Sequence, residues 1–310
     1  MGDKSSIQWT DATWNPVTGC SKVSPGCAHC YAESLTRRFA STWGVPDLPW
    51  TPENAKENVI LHPERLDQPL RWKRPRMVFV NSMSDLFHEE VSDEFILRVF
   101  DVMRSAYVEE RGHVFQVLTK RPERMRDFCL RVRFDGGTEH GRMWLTKDGE
   151  RDTGYALMGG RPGCKPLPNV WLGVSIENRR YVHRADLLRE TPAAVRFISA
   201  EPLLGPLVHE EGCLDDDKRS YWYDGYEGPQ LDLTGIDWLI AGGESGPGHR
   251  PMHADWLRDL RDACWSVDND RGDAIAFFFK QWGGATPKAG GRELDGRTWD
   301  EMPTRAEVSA

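Results

Sequence analysis

Short runs rich in Val, Ile, Phe and Trp recur along this chain, each followed by a polar loop and then by a segment with helical spacing. That alternation is the signature of βα units wound around a parallel sheet, and it constrains the fold more than any other feature. Six or seven units stand out. Strands are expected at residues 7–13 (the weakest run), 77–81, 114–118, 170–174, 195–199, 238–241 and 274–279. Apolar residues at consecutive positions fit strands buried on both faces. Residues 93–104 and 254–266 carry apolar side chains at spacings of three and four, the second with Trp256, Leu257, Leu260 and Cys264 on one side, and these predict outer helices. The fold class is therefore α/β, a partial or near-complete (β/α) barrel of six to seven parallel strands.

A chain of 310 residues with 39% hydrophobic content supports one large domain or two small ones. Without an internal repeat or clear linker, a single domain over residues 1–310 is the simplest reading. Two stretches interrupt the rhythm. Residues 134–169 are glycine-rich and contain Asp148-Gly149 between short runs, which suggests a hairpin insertion at the far end of the barrel. Residues 209–237 hold the acidic patch Asp215-Asp216-Asp217 and the aromatic cluster Tyr221, Trp222, Tyr223 and Tyr226. That second insertion follows a strand directly, on the face where barrel active sites form. No apolar stretch approaches the roughly 20 residues that span a bilayer, and the start MGDKSSIQWTD lacks a signal-peptide core, so a cytoplasmic protein without a membrane partner is expected. Net charge is -8, which argues against a broad phosphate-binding surface but leaves room for a local one such as Arg71-Trp72-Lys73-Arg74-Pro75-Arg76.

In a reducing compartment the seven cysteines stay thiols, so three packed within eleven residues read as metal ligands before disulfides. Cys129, Cys164, Cys213 and Cys264 are scattered and read as structural. The run GCSKVSPGCAHCYAE spaces Cys20, Cys27 and Cys30 as C-x6-C-x2-C, with Gly19, Pro25 and Gly26 supplying the turns that fold a loop around an ion or cluster. A 4Fe-4S cluster usually takes four cysteines, so three leave one iron open for a cofactor or substrate. Zinc is the rival, because Cys3His sites are common. His29 abuts Cys30 and is an awkward fourth ligand, so a zinc site would recruit a distant residue such as His88. Three plain thiols are the remaining alternative.

The segments WNPVTGCSKVSPGCAHCYAE, VNSMSDLFHEEV, VLTKRPERM, LGVSIEN, ISAEPLLGPL, AGGESGPGHRPM, FFFKQWGG and ELDGRTWDEMP resemble the phage and bacterial three-cysteine radical-SAM-like family. The matches run through nearly the whole chain, with the two insertions as the main gaps. The resemblance implies a radical-SAM-like barrel with a 4Fe-4S cluster on Cys20, Cys27 and Cys30 and S-adenosylmethionine on the open iron. It also implies an external electron donor and cleavage of the cofactor to methionine and a 5'-deoxyadenosyl radical. One departure is the triad itself, since most of that superfamily has C-x3-C-x2-C. The phage-like association suggests a nucleotide or nucleic-acid substrate, although fold does not fix function. Two other readings use the same residues: a zinc-stabilised barrel that binds nucleic acid through residues 71–76, and a cluster-bearing subunit that acts only with a partner protein.

In a parallel barrel the ligand-binding groups lie at the C-terminal ends of the strands. After the second strand come Asn81, Ser82, Ser84 and Asp85, where the resemblance implies contact with the methionyl amino group, and a carboxylate can accept from an ammonium. Thr119, Lys120 and Arg121 follow the third, where a cation could pair with the cofactor carboxylate or simply be solvated. Ser175, Glu177 and Asn178 after the fourth suit ribose hydroxyls, and Glu201 follows the fifth. The glycines of Gly242-Gly243-Glu244-Ser245-Gly246 permit close approach of backbone to a flat ring. Lys280 and Gln281 follow the last strand, Lys280 either as a working cation or as one half of an ion pair closing the barrel. Lys120, Glu244 and Lys280 are the candidate catalytic groups.

Overall fold

The computed structural model describes residues 5–134, 143–146, 155–156, 166–208, 229–269 and 272–303. Seven parallel strands form one sheet: β1 (Ala12–Trp14), β2 (Met77–Val80), β3 (Val114–Thr119), β4 (Val170–Ser175), β5 (Val195–Ala200), β6 (Trp238–Gly242) and β7 (Ala276–Gln281). Their order across the sheet is their order in the chain, and the sheet curls into a half-barrel. Five helices described here are α1 (Tyr31–Arg38), α2 (Asp93–Val108), α3 (Pro122–Arg131), α4 (His183–Glu190) and α5 (Ala254–Ser266).

Because side chains alternate across a strand, each strand from β2 to β7 divides its residues between two cores. The larger core joins Val78, Val80, Phe115, Val117, Leu172, Val174, Ile198, Leu239, Phe277 and Phe279 to helical side chains such as Phe100, Phe128, Leu188 and Leu260. The smaller one takes the alternate set, Met77, Phe79, Val114, Trp171, Val195, Phe197, Trp238, Ile240 and Phe278, together with Trp9. Trp9 proves the curl: its ring lies 4.8 Å from Phe79 on β2 and 6.0 Å from Trp238 on β6. Only a sheet bent on itself lets one indole reach its second and sixth strands. Trp238 also meets Trp171 at 6.0 Å and Phe197 at 5.7 Å. These edge and tilted contacts each add about 1 kcal/mol to the burial of the rings. Gly173 makes room for them, since a Cβ there would stand 2.5 Å from the Phe197 ring.

The expected strands appear with shifted ends at both edges of the sheet. β1 begins at Ala12 because residues 7–10 form a turn, closed by the Thr10 amide donating to the Ile7 carbonyl, that swings Trp9 into the half-barrel. β7 runs to Gln281 and begins after Ala274, which bridges back to Asp268 instead. The helix expected at 93–104 extends to Val108, and Ser92 caps its start by accepting from the Phe95 amide. Val132–Phe134, Met143–Leu145 and Tyr155–Ala156 form a small antiparallel sheet directly after α3, and this sheet begins two residues before the first insertion expected at 134–169. The Asp148-Gly149 turn, Cys164, Cys213, Asp215 to Asp217 and the Tyr221 to Tyr226 cluster lie outside the described residues. The end of the second insertion is core: Leu231, Leu233 and Ile236 are buried. Among the described residues no helix is long and apolar enough to cross a membrane.

Candidate functional site

The same alternation that builds the aromatic core at the N-terminal ends of the strands delivers polar groups to their C-terminal ends. Met77 and Phe79 are followed on the inner face by Asn81, Trp171 and Gly173 by Ser175, Phe197 and Ser199 by Glu201, and Phe278 by Lys280. Across this mouth Lys280 Nζ stands 3.0 Å from Glu201 Oε1 and Lys120 Nζ 3.5 Å from Glu177 Oε1. Asn81 adopts φ 60°, its Oδ1 accepts from the Val17 amide, and its buried Nδ2 has no partner among the described residues.

The cysteine loop lies over this mouth and is tied to four strand ends. Cys20 follows a two-residue strand, Val17–Thr18, Cys27 closes a 3-10 turn, Pro25–Cys27, and Cys30 immediately precedes α1. From the β3 end, Arg121 donates to Cys20 Sγ at 3.6 Å and to Ser21 Oγ at 3.1 Å. From the β4 end, Glu177 accepts from Ser24 Oγ at 2.6 Å. From the β6 end, Glu244 holds His29 Nδ1 at 2.9 Å and binds Arg250, whose guanidinium donates onward to the Pro25 carbonyl at 3.0 Å. At the β2 end the Tyr31 hydroxyl donates to the Ser82 carbonyl. Gly26 allows the loop to sit this close: a Cβ there would lie 2.5 Å from the Glu177 carboxylate.

Charge at the mouth is arranged around the thiols. Burial pushes the Cys20 thiol up to about 12, with Asp85 and Cys27 adding to the rise and Arg121 opposing it. Burial likewise raises Cys30, again with Cys27 close by. Burial disfavours the charge on Lys120, but Glu177 and Cys27 outweigh it and hold the ammonium above its ordinary range. Arg121 is also held above its usual value, because Asp85, Cys20 and Glu89 outweigh its burial. For Glu244, burial is outweighed by hydrogen bonds from Arg250 and His29, which bring its carboxyl down to about 2.

Several expected site residues have structural partners. Asp85 accepts from Thr119 Oγ1 at 2.7 Å, from the Lys120 amide at 3.0 Å and from Arg121 at 3.3 Å, so its carboxylate organises the β2 and β3 loops. Glu177 is fully buried and also takes Arg184 at 3.2 Å. Ser84 Oγ donates to the Val17 carbonyl, Ser82 Oγ to Asn15, and Asn178 caps a turn through the Arg180 amide. Ser175 is buried, with its carbonyl accepting from Arg184. Glu244, expected among the catalytic groups, is the anchor of the His29 and Arg250 ties. Lys120, Glu201, Lys280 and Asn81 Nδ2 remain as groups facing the mouth.

Among the described residues, no three His, Cys, Asp or Glu side chains stand in the arrangement of ligands around a single metal ion. Ligands of a cubane cluster bind separate irons and need not converge on one point as those of one zinc must. The donor set suits a cluster: three thiols from one loop, near enough that Cys27 raises both others, with Arg121 and Lys120 to balance thiolate charge. A zinc fourth ligand is less well served. His88 Nδ1 accepts from the Glu90 amide, so its proton lies on Nε2, which faces Ser21 Oγ at 2.9 Å. His29 is held by Glu244. The basic residues 71–76 lie just before β2, at the opposite end of the sheet, where Arg71 pairs with Asp67 and Arg76 stacks 4.9 Å over Trp72.

Arg250, Ser24, Tyr31 and Arg184 were not singled out as site residues from the sequence. Arg250 alone had a local signal, a charge closing the glycine-rich loop that begins at Gly242. No curated protein and no solved structure matches the chain. Residues 4–303 match the family model described as a protein of unknown function (DUF5131), and the chain belongs to that family.

Proposed function

We propose that this protein is a radical-SAM-like enzyme that holds a 4Fe-4S cluster on Cys20, Cys27 and Cys30 and binds S-adenosylmethionine in the mouth of the half-barrel. The observation that carries the reading is the three-cysteine loop held over the C-terminal ends of a curled parallel sheet by Arg121, Glu177, Glu244 and Tyr31. When bound, the cluster supplies the electron that cleaves S-adenosylmethionine to methionine and a 5'-deoxyadenosyl radical able to take hydrogen from a substrate. The chain's own residues do the rest. Arg121 donates to the Cys20 sulfur, and Lys120 sets a cation near Cys27 and Cys30. Asn81 Nδ2 offers a donor to a cofactor acceptor, while Glu201 and Lys280 offer an anion and a cation on the inner wall. The aromatic core around Trp238 closes the other end and keeps water from entering behind the site.

The test is anaerobic reconstitution with iron and sulfide, followed by reduction and addition of S-adenosylmethionine. The expected result is about four irons per chain, cluster absorbance that bleaches on reduction, and 5'-deoxyadenosine in the products. Zinc at one equivalent with no cluster absorbance would replace this reading with the zinc-stabilised barrel. Iron without cofactor cleavage would point to the subunit that needs its partner protein.

A further inference from the structure

α1 leaves Cys30 with an unusual outer surface. Eight large apolar side chains are exposed among the described residues, and four of them, Val23, Tyr31, Leu35 and Trp43, belong to one segment around the third cysteine. The helical hydrogen bonding continues past α1, with the Phe39 amide donating to the Leu35 carbonyl at 3.0 Å and the Trp43 amide to the Phe39 carbonyl at 2.9 Å. The chain bends at Phe39 (φ -112°, ψ 16°) into a second short helix, Ala40–Trp43, so Tyr31, Leu35, Phe39 and Trp43 form an apolar run at a spacing of four across two short helices. Such an exposed run beside a site marks an interaction surface.

Its chemistry narrows the occupant. Phe39 meets both groups: the Arg38 guanidinium lies 5.3 Å from its centroid, and Trp43 stacks on it at 5.4 Å with 29° between planes. Trp43 is 49% exposed, so its ring is available to lengthen the stack. Arg38 makes no ion pair among the described residues, and Arg37 lies beside it, paired with exposed Asp47. An aromatic face flanked by arginine is the platform on which unpaired bases stack, with the cations left for phosphates. A duplex hides its base faces and calls for a broader cationic surface than a chain of net charge -8 offers. The run leads from Tyr31, tied to the mouth through Ser82, over Leu35 and Phe39 to Trp43.

We propose that this run is the track for a single-stranded nucleic acid substrate, with a base stacked on Trp43 and the strand leading past Tyr31 into the mouth. The proposal rests on the cysteine loop being the reactive centre and adds the substrate class to it. The test is fluorescence anisotropy of the full chain with labelled dT10 and U10 at low and moderate salt, with iron content measured on the same samples. Expected is saturable, salt-weakened binding, lowered about tenfold by Trp43→Ala or Arg38→Gln and unchanged by Trp265→Ala, an exposed tryptophan on α5. Absence of binding, binding indifferent to Trp43, or a wild-type dimer that Trp43→Ala dissolves would overturn it, the last assigning the run to a second copy. Loss of oligonucleotide binding in a protein that carries its full iron would sink the track alone. A protein that binds dT10 through Trp43 but takes up no iron would keep the track and sink the cluster.

Discussion

The Arg121 Nη1 donates both to the Cys20 sulfur at 3.6 Å and to Asp85 at 3.3 Å, while Nε holds Glu89 and Nη2 holds Ser21. A buried cation with three acid or thiol partners is fixed in place, so it acts on the sulfur's charge and on the fold of the loop at once. Hydrogen bonds to ligand sulfurs and nearby charge set cluster potentials. Arg121→Gln removes both and is expected to make the reconstituted cluster harder to reduce, with Arg121→Lys intermediate. Potentiometric titration followed by electron paramagnetic resonance reads the shift, and Ser21→Ala, which leaves the guanidinium near the sulfur, should not produce it. An unchanged midpoint in Arg121→Gln would mean the contact is structural only.

Iron content separates the two classes of cysteine. Serine at Cys20, Cys27 or Cys30 should abolish stable cluster absorbance, whereas Cys129→Ser and Cys264→Ser should retain it. The latter pair are buried in the helical layer, at 1% and 0% exposure, so their loss costs packing without touching the loop. Iron retained by all three loop variants would refute the ligand assignment.

Glu244 makes acid stability pH-dependent in a definite window. Its carboxyl is brought to about 2 in the folded chain, below the ordinary carboxylate range, by Arg250 and His29 against the opposing effect of burial. A depressed folded value contributes stability that is fully present above the unfolded value of about 4.3 and is lost as pH falls through the folded one. The wild type is therefore expected to exceed Glu244→Gln by about 2 kcal/mol near pH 6, with the gap closing between about pH 4 and 2. Urea unfolding at a series of pH values measures it; a constant gap would show that the carboxylate charge is not involved.

Trp238 is wholly buried where β6 crosses the inner core, with rings of Trp9, Trp171, Phe197 and Phe278 within 6.2 Å. Trp238→Ala should destabilise the protein by about 3–5 kcal/mol. Equilibrium unfolding would show this, and a loss below about 1 kcal/mol would mean that the half-barrel collapses readily around the gap.

Much of the architecture was legible because buried parallel strands are written as continuous apolar runs. Runs such as 114–118 and 238–241 therefore located β3 and β6 within a residue or two. The short helices α1, α3 and α4, eight to ten residues each, repeat their apolar positions too few times to stand out from the loops around them. Trp9 looked like the middle of a strand, and only its place against Phe79 and Trp238 shows why the chain turns there.

By itself the sequence determined the winding of the βα units, the strand ends where polar groups would gather, and the loop that carries three thiols. Those are local properties, set by side-chain period and by spacing along the chain. Only the tertiary structure decided which of those polar groups stay at the mouth and which are consumed. Asp85 meets Arg121 across 36 residues, Ser24 meets Glu177 across 153 and His29 meets Glu244 across 215. Partners at such separations are chosen by the curl of the sheet, which brings the ends of distant strands around one opening, and no local pattern records that choice.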